Sequence, residues 1–235
     1  MRCCTEYTDR AGVSLLDYTM SQVQRLHKVY RVGRSILLDY IMRGEKMSSF
    51  FHEAVEENPI IAAVKNMNDL EVCCSLEDIR VVFILFGDIC SVKEIVDKVK
   101  AAGKVAMVHV DLISGLSSKD IVVEFIQKNT KADGIISTKP TLIKKGRELG
   151  MFTILRYFLL DSMAYENIRQ QQHAVKPDFI EVLPGVMPKI IKNVCKMSRT
   201  PIIAGGLISD KESVMDALSA GAIAVSSTNH EVWML

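Results

Sequence analysis

The stretch TPIIAGGLIS, residues 200–209, opens on a Pro-Ile-Ile-Ala run that the chain has already used at residues 59–62, in NPIIAAVKN. A short run rich in β-branched residues, ended by glycines in one copy and by lysine in the other, reads as a strand buried on both faces. Working outward from these two, six more runs of the same character emerge: VVFILFG (81–87), VAMVHVD (105–111), GIISTK (134–139), FTILRYF (152–158), FIEVLPG (179–185) and AIAVSST (222–228). With IIAAVK (60–65) and PIIAGGLI (201–208) they make eight, their starts 18 to 29 residues apart. That spacing holds one strand, one helix and two short loops.

The segments between the runs carry helix punctuation. SVKEIVDKVKAAGK offers Ser91 as an N-cap, Glu94 three residues on and Gly103 as a stop. SDKESVMDALSAGA repeats the scheme with Ser209, Glu212 and Gly221. KADG and VKPD supply tight turns before the fourth and sixth runs. Eight strands alternating with seven helices predict an α/β chain folded as a compact (β/α)8 TIM barrel, in preference to an open doubly wound sheet. Only NHEVWML follows the eighth run, so the eighth helix is reduced. The helical stretch SSFFHEAVEEN (48–58) is expected to cover the barrel floor or to stand in for that helix.

Residues 1–46 lie outside this pattern and mix arginine with apolar residues. They carry a balance of +3 against −2 for the remainder, within a net charge of +1. The Arg-Gly-Glu-Lys before Met47 can be encoded by a purine-rich string like a ribosome-binding site. The expected division is therefore a 1–46 extension outside the fold, read as an over-extended start, and a 47–235 barrel domain. The alternative for 1–46 is a genuine basic arm.

Composition, 49% hydrophobic and 24% charged, is that of a globular protein. No run approaches the ~18 apolar residues of a membrane span. Six cysteines include the adjacent pairs Cys3-Cys4 and Cys73-Cys74 and no CxxC. Together with Cys90 and Cys195 in apolar surroundings, they suggest buried free thiols in a cytoplasmic protein.

Function in such a barrel gathers where the strands end. Lys65, His109, Asp111, Lys139, Arg156 and Glu181 interrupt apolar runs near those ends. A charge buried without a partner is costly, so the five ionised ones read as a mixed-charge ring that pairs internally or receives a ligand. Gly205 and Gly206 close the seventh run, and Ser226, Ser227 and Thr228 the eighth. Loops at these two places bind phosphate in many barrels through backbone N–H groups and hydroxyls. Lys65, Lys139 and Arg156 would complete an anion clamp, and Asp111, Glu181 and His109 would accept or share hydroxyl hydrogen bonds. A small phosphorylated polyol or triose is the ligand implied. His109 with Asp111 and Glu181 is a weak metal signal, and no metal, cofactor or catalytic residue is expected. Lys189, Lys192, Lys196 and Arg199 follow helical spacing after the sixth run and form one basic stripe, either a solvated face or a track for RNA phosphates. Lys144, Lys145 and Arg147 cluster after the fourth.

Taken together, FFHEAVEENPIIAAVKN, VHVDLISGLS, DGIISTK, FIEVLPG, TPIIAGGLIS and SSTNHEVWML resemble the bacterial glycerol-uptake operon antiterminator family, from Met47 to the C-terminus. The resemblance implies a TIM barrel without established catalysis. It also implies a response to glycerol 3-phosphate and action on the leader mRNA of glycerol operons. Lys65, Asp111, Lys139, Arg156, Glu181, Gly205, Gly206 and Ser227 would line the effector pocket. The alternative is a lyase or isomerase acting on a phosphorylated polyol or triose phosphate, with Lys139 or Glu181 as base. Neither reading requires a membrane, and both leave a homo-oligomer open.

Overall fold

The computed structural model describes residues 49–117 and 119–235. The expectations about residues 1–46 and about Cys3 and Cys4 lie outside the described residues. From Ser49 on, strands and helices alternate. The strands are β1 (Ile60–Val64), β2 (Val81–Ile84), β3 (Val105–His109), β4 (Gly134–Ser137), β5 (Phe152–Phe158), β6 (Phe179–Leu183), β7 (Ile202–Gly205) and β8 (Ala224–Ser227). The helices are α1 (Ser49–Glu57), α2 (Met67–Ser75), α3 (Val92–Ala101), α4 (Ile121–Asn129), α5 (Pro140–Glu148), α6 (Ser162–Val175), α7 (Pro188–Met197), α8 (Lys211–Ser219) and α9 (His230–Trp233), with a 3-10 turn at Val110–Leu112. Every strand pairs in parallel with the next, and β8 closes on β1 to complete the barrel.

Alternation along each strand divides the apolar residues between two cores. Ile61, Ala63, Val81, Phe83, Met107, Ile136, Ile154, Phe179, Ile203 and Ala224 fill the barrel interior. Ala62, Val82, Val108, Ile135, Leu155, Val182, Ala204 and Val225 face outward and pack against the helices. Helices answer with one apolar stripe each: Leu142 and Ile143 on α5, and Ile191 and Val194 on α7, are buried. Strands buried on both faces need this double cover, which is why the runs read as uninterrupted apolar sequence.

The two ends of the barrel are closed differently. At the floor, α1 inserts Phe51, whose ring lies 4.5 Å from that of Phe179 and 5.5 Å from that of Phe152. Of its two expected places, α1 therefore takes the floor. The eighth helix is reduced to α9, where buried Trp233 donates its indole N–H to the Ser227 carbonyl at 2.7 Å.

Two helix caps differ from expectation. Asp210, not Ser209, caps α8, its side chain accepting from the Ser213 N–H. Ser91 occupies the N-cap position of α3, yet its hydroxyl turns to Asp88, whose carboxylate accepts the N–H groups of Cys90 and Ser91. At α8 the aspartate outcompetes serine because its ionised oxygen is the stronger acceptor for helix N–H groups, whereas Asp88 binds the turn that precedes α3. Gly103 and Gly221 end their helices with positive φ, as expected. Cys73, Cys74, Cys90 and Cys195 are free thiols, but of these only Cys73 is buried; Cys90, expected in apolar surroundings, is exposed in the turn before α3.

Candidate functional site

The mouth is built from residues that follow the apolar interior by one more step of the strand period. Beyond Met107, Ile154, Phe179 and Ala224 come His109, Arg156, Glu181 and Ser226, all buried. The β5–β6 register sets Arg156 beside Glu181. The Arg156 Nε donates to Glu181 Oε2 at 2.6 Å, and the Ser226 hydroxyl donates to Oε1 at 2.6 Å. Both carboxylate oxygens are thus engaged, from opposite sides, in a fully buried network.

Gly205 lies between β6 and β8, and a Cβ there would stand 2.5 Å from both Glu181 Oε1 and Ser226 Oγ. The glycine at 205 therefore makes room for a carboxylate–hydroxyl pair, a role different from the expected one of opening backbone to a phosphate. Gly206, at φ +73°, is the residue that needs glycine for its backbone.

A second network lies over β3 and β4. Asp111 and Lys139 fall beyond the strands that were expected to end on them, in the 3-10 turn and at the N-cap of α5. Asp111 accepts from the Ser137 hydroxyl, the Thr138 N–H at 2.7 Å and the Thr138 hydroxyl, and Lys139 Nζ stands 3.5 Å away. Burial pushes the Asp111 carboxyl up, but these hydrogen bonds and nearby positive charge outweigh it and hold the group below the usual carboxylate range. Ser137 and Thr138 were missed from sequence. Their signal was a hydroxyl pair at a strand end, the same kind of signal read at β8.

His109 connects the two networks. Its Nδ1 is buried without a hydrogen-bond partner, 4.0 Å from Asp111 Oδ2. Burial, reinforced by the Arg156 charge, lowers its pKa to about 4, so the ring is neutral at pH 7. The gap to the carboxylate is too long for a direct hydrogen bond, so Nδ1 stands as a buried polar atom beside Asp111.

The expected ring of charges is thus resolved into two pairs, Arg156–Glu181 and Asp111–Lys139. Lys65 lies exposed one residue beyond β1, its N–H bonded to Asp69, which also meets His230 at 3.0 Å. Thr228 is exposed beyond β8. Ser227 differs from expectation: its hydroxyl turns to the helix layer and donates to the Ile208 carbonyl at 2.6 Å. Adjacent strand residues face opposite ways, so Ser226 and Ser227 could not both serve the mouth. Among the described residues no three His, Cys, Asp or Glu side chains converge as a metal site, and no helix is long and apolar enough to cross a membrane. Lys189, Lys192, Lys196 and Arg199 are all exposed along α7 and just beyond it. Lys145, by contrast, is drawn 3.0 Å from Glu124 of α4.

Fold and site define a compact (β/α)8 barrel with a charged mouth organised by internal hydrogen bonds. The chain belongs to the glycerol-3-phosphate responsive antiterminator family, whose model matches residues 60–233. It is 45% identical over 181 residues to the uncharacterised protein YgcP of Escherichia coli K12, covering 77% of this chain and 94% of that protein. Among solved structures it is similar to a glycerol uptake operon antiterminator regulatory protein of Listeria monocytogenes. That match has 35% identity and a TM-score of 0.73, over 75% of this chain and 95% of that one. A glycerol uptake operon antiterminator-related protein of Thermotoga maritima is 32% identical with a TM-score of 0.66, over 75% and 98% of the two chains.

Proposed function

We propose that the chain is a cytoplasmic, glycerol 3-phosphate-responsive transcription antiterminator that acts on the leader mRNA of glycerol-utilisation operons. The observation that carries the effector half is the mouth. Two cations, Arg156 and Lys139, and the neutral donor-acceptor His109 stand at the C-terminal ends of β5, β4 and β3, the end of the barrel at which the loops after β7 and β8 also lie. The ester phosphate would meet the backbone around Gly206 and Thr228, with Lys65, Lys139 and Arg156 supplying positive charge. The glycerol hydroxyls would bridge His109, Asp111 and the Glu181–Ser226 pair.

No activated nucleophile accompanies these groups. Glu181 is engaged on both oxygens, and hydrogen bonds with nearby positive charge hold the Asp111 carboxyl below the usual carboxylate range, so neither stands free as a general base. This favours binding over turnover. Ligand would bias the population of an RNA-competent state, to the extent that it binds that state more tightly. The basic stripe of α7 is the proposed phosphate track for RNA, and no cofactor takes part. Calorimetry with glycerol 3-phosphate, followed by a gel shift on leader RNA with and without it, tests this function. Saturable binding with a ligand-dependent shift is expected. No glycerol 3-phosphate binding would sink the sensor, and turnover of a triose phosphate would replace it with the enzyme.

A further inference from the structure

We infer that single-stranded RNA binds this chain by laying bases on an apolar crescent at the mouth rim while its phosphates follow the stripe on α7. The inference rests on the RNA-binding reading above and gives that reading a second, base-contacting half.

The crescent comprises Phe158, Leu160, Met163, Val186 and Leu207, all large hydrophobics exposed to solvent, with Leu160 at 84% and Met163 and Leu207 at 74%. Phe158 is the last residue of β5, Leu160 follows it, Met163 lies in the first turn of α6, and Val186 and Leu207 stand on the connections after β6 and β7. Hydrogen bonds lace those connections together: the Leu159 N–H donates to the Leu183 carbonyl at 2.7 Å and the Gly185 N–H to the Gly206 carbonyl at 3.0 Å. Exposed apolar residues scattered singly mean little, but five gathered at the C-terminal ends of three neighbouring strands and the segments that follow them mark a contact surface. Leu207 is also one of two described non-glycine residues with positive φ, at 62°. An apolar side chain held outward on a backbone conformation that only glycine adopts freely is not what a solvated loop requires.

Charge selects the occupant. Val186 lies two residues before α7, so the crescent runs directly into Lys189, Lys192 and Lys196. That helix, PKIIKNVCKM, contains no acidic residue. A rise of about 1.5 Å per residue sets Lys189 and Lys196 about 10 Å apart along the axis, a track longer than one nucleotide. Single-stranded RNA offers both halves of the match, a polyanionic backbone and flat apolar bases that stack on a ring such as Phe158. A second copy of this chain would bring the same uncompensated cations to the edge of the contact.

The location also joins effector to RNA. Leu207 follows Gly205 and Gly206 in the loop that borders the Glu181–Ser226 pair. Ligand and RNA would then share one loop, and each would change the other's affinity by the same factor.

The test uses the full chain and a fluorescein-labelled leader transcript of a glycerol-utilisation operon, read by anisotropy across a salt series. Circular dichroism monitors folding, and light scattering gives the mass. Phe158→Ala combined with Leu207→Gly, the latter relieving the positive φ, should weaken binding about tenfold, the scale of lost stacking. Its salt dependence should stay that of the parent chain. Lys192→Glu with Lys196→Glu should weaken binding and flatten the salt dependence. If the parent chain binds RNA and the Phe158/Leu207 variant binds equally well, the crescent is not an RNA surface although the RNA reading stands. If that variant instead loses mass in solution at unchanged RNA affinity, the crescent is a self-association surface and the inference is overturned. If the parent chain binds no leader RNA at any salt, the RNA reading falls and this inference with it.

Discussion

Two histidines, one at each end of the barrel, share a depressed pKa of about 4 and little else. His52, on the floor helix α1, lies against Phe179 with both ring nitrogens unpartnered, and burial alone accounts for its shift. His109, at the mouth, is shifted by burial together with the Arg156 charge, and Asp111 pulls the other way. The floor is a dry aromatic plug in which a polar ring is tolerated as bulk. The mouth is a set of opposed charges held at fixed distances, in which the same ring keeps a nitrogen for a partner. The comparison teaches that a buried neutral histidine does not by itself mark a site. The charged neighbours do.

The comparison can be broken most forcefully at Glu181. Glu181→Ala removes the counter-charge of a buried arginine and the acceptor of Ser226, and should cost about 3–5 kcal/mol in urea unfolding. That is a large share of the ~5–15 kcal/mol holding a domain together. A cost near 0.5 kcal/mol would mean that the pair is not a structural element of the mouth.

The next effect comes with acid. Both histidines titrate near pH 6.5 when unfolded and near 4 when folded, so between those values the unfolded chain holds more protons. Stability should be fully present above pH 6.5 and fall as pH drops towards 4, by on the order of 3 kcal/mol for each ring. Unfolding curves that do not shift across this window would show that neither ring is buried neutral. Gly205→Ala should follow, at roughly 1–3 kcal/mol, because its methyl overlaps Glu181 and Ser226. Combining it with Ser226→Ala should recover part of the loss, since the two changes share one contact.

His52→Phe gives the smallest effect and the opposite sign. Exchanging an unsatisfied buried ring for an apolar one should stabilise the fold by about 1 kcal/mol and halve the acid slope. Destabilisation would point to a partner for His52 that the floor does not show.

Most of this barrel was legible because strand and helix periods differ so plainly. Every apolar run became a strand, as a sheet covered on both faces demands. The charged residues at strand ends were legible too, since an ion inside an apolar run has few reasons to be there. What the residue string hid was pairing and direction. Strand parity separates Ser226, inward on Glu181, from Ser227, outward on Ile208. Parity could have been counted from Glu181 and Arg156 had the register of β6, β7 and β8 been known. The steric need for glycine at 205 was hidden because the group that fills its missing side chain comes from another strand, 24 residues earlier in the chain. The cap at Asp210 was displaced by one residue because serine and aspartate both satisfy the same rule, and only geometry ranks them.

The central claim, that the mouth and not the floor is the ligand end, is tested most directly by calorimetric titration of glycerol 3-phosphate into three proteins. These are the parent chain, Lys139→Met and His52→Phe. Saturable binding to the parent, retained in His52→Phe and at least tenfold weaker in Lys139→Met, is the predicted result. Equal affinity in Lys139→Met, or loss of binding in His52→Phe, would contradict it.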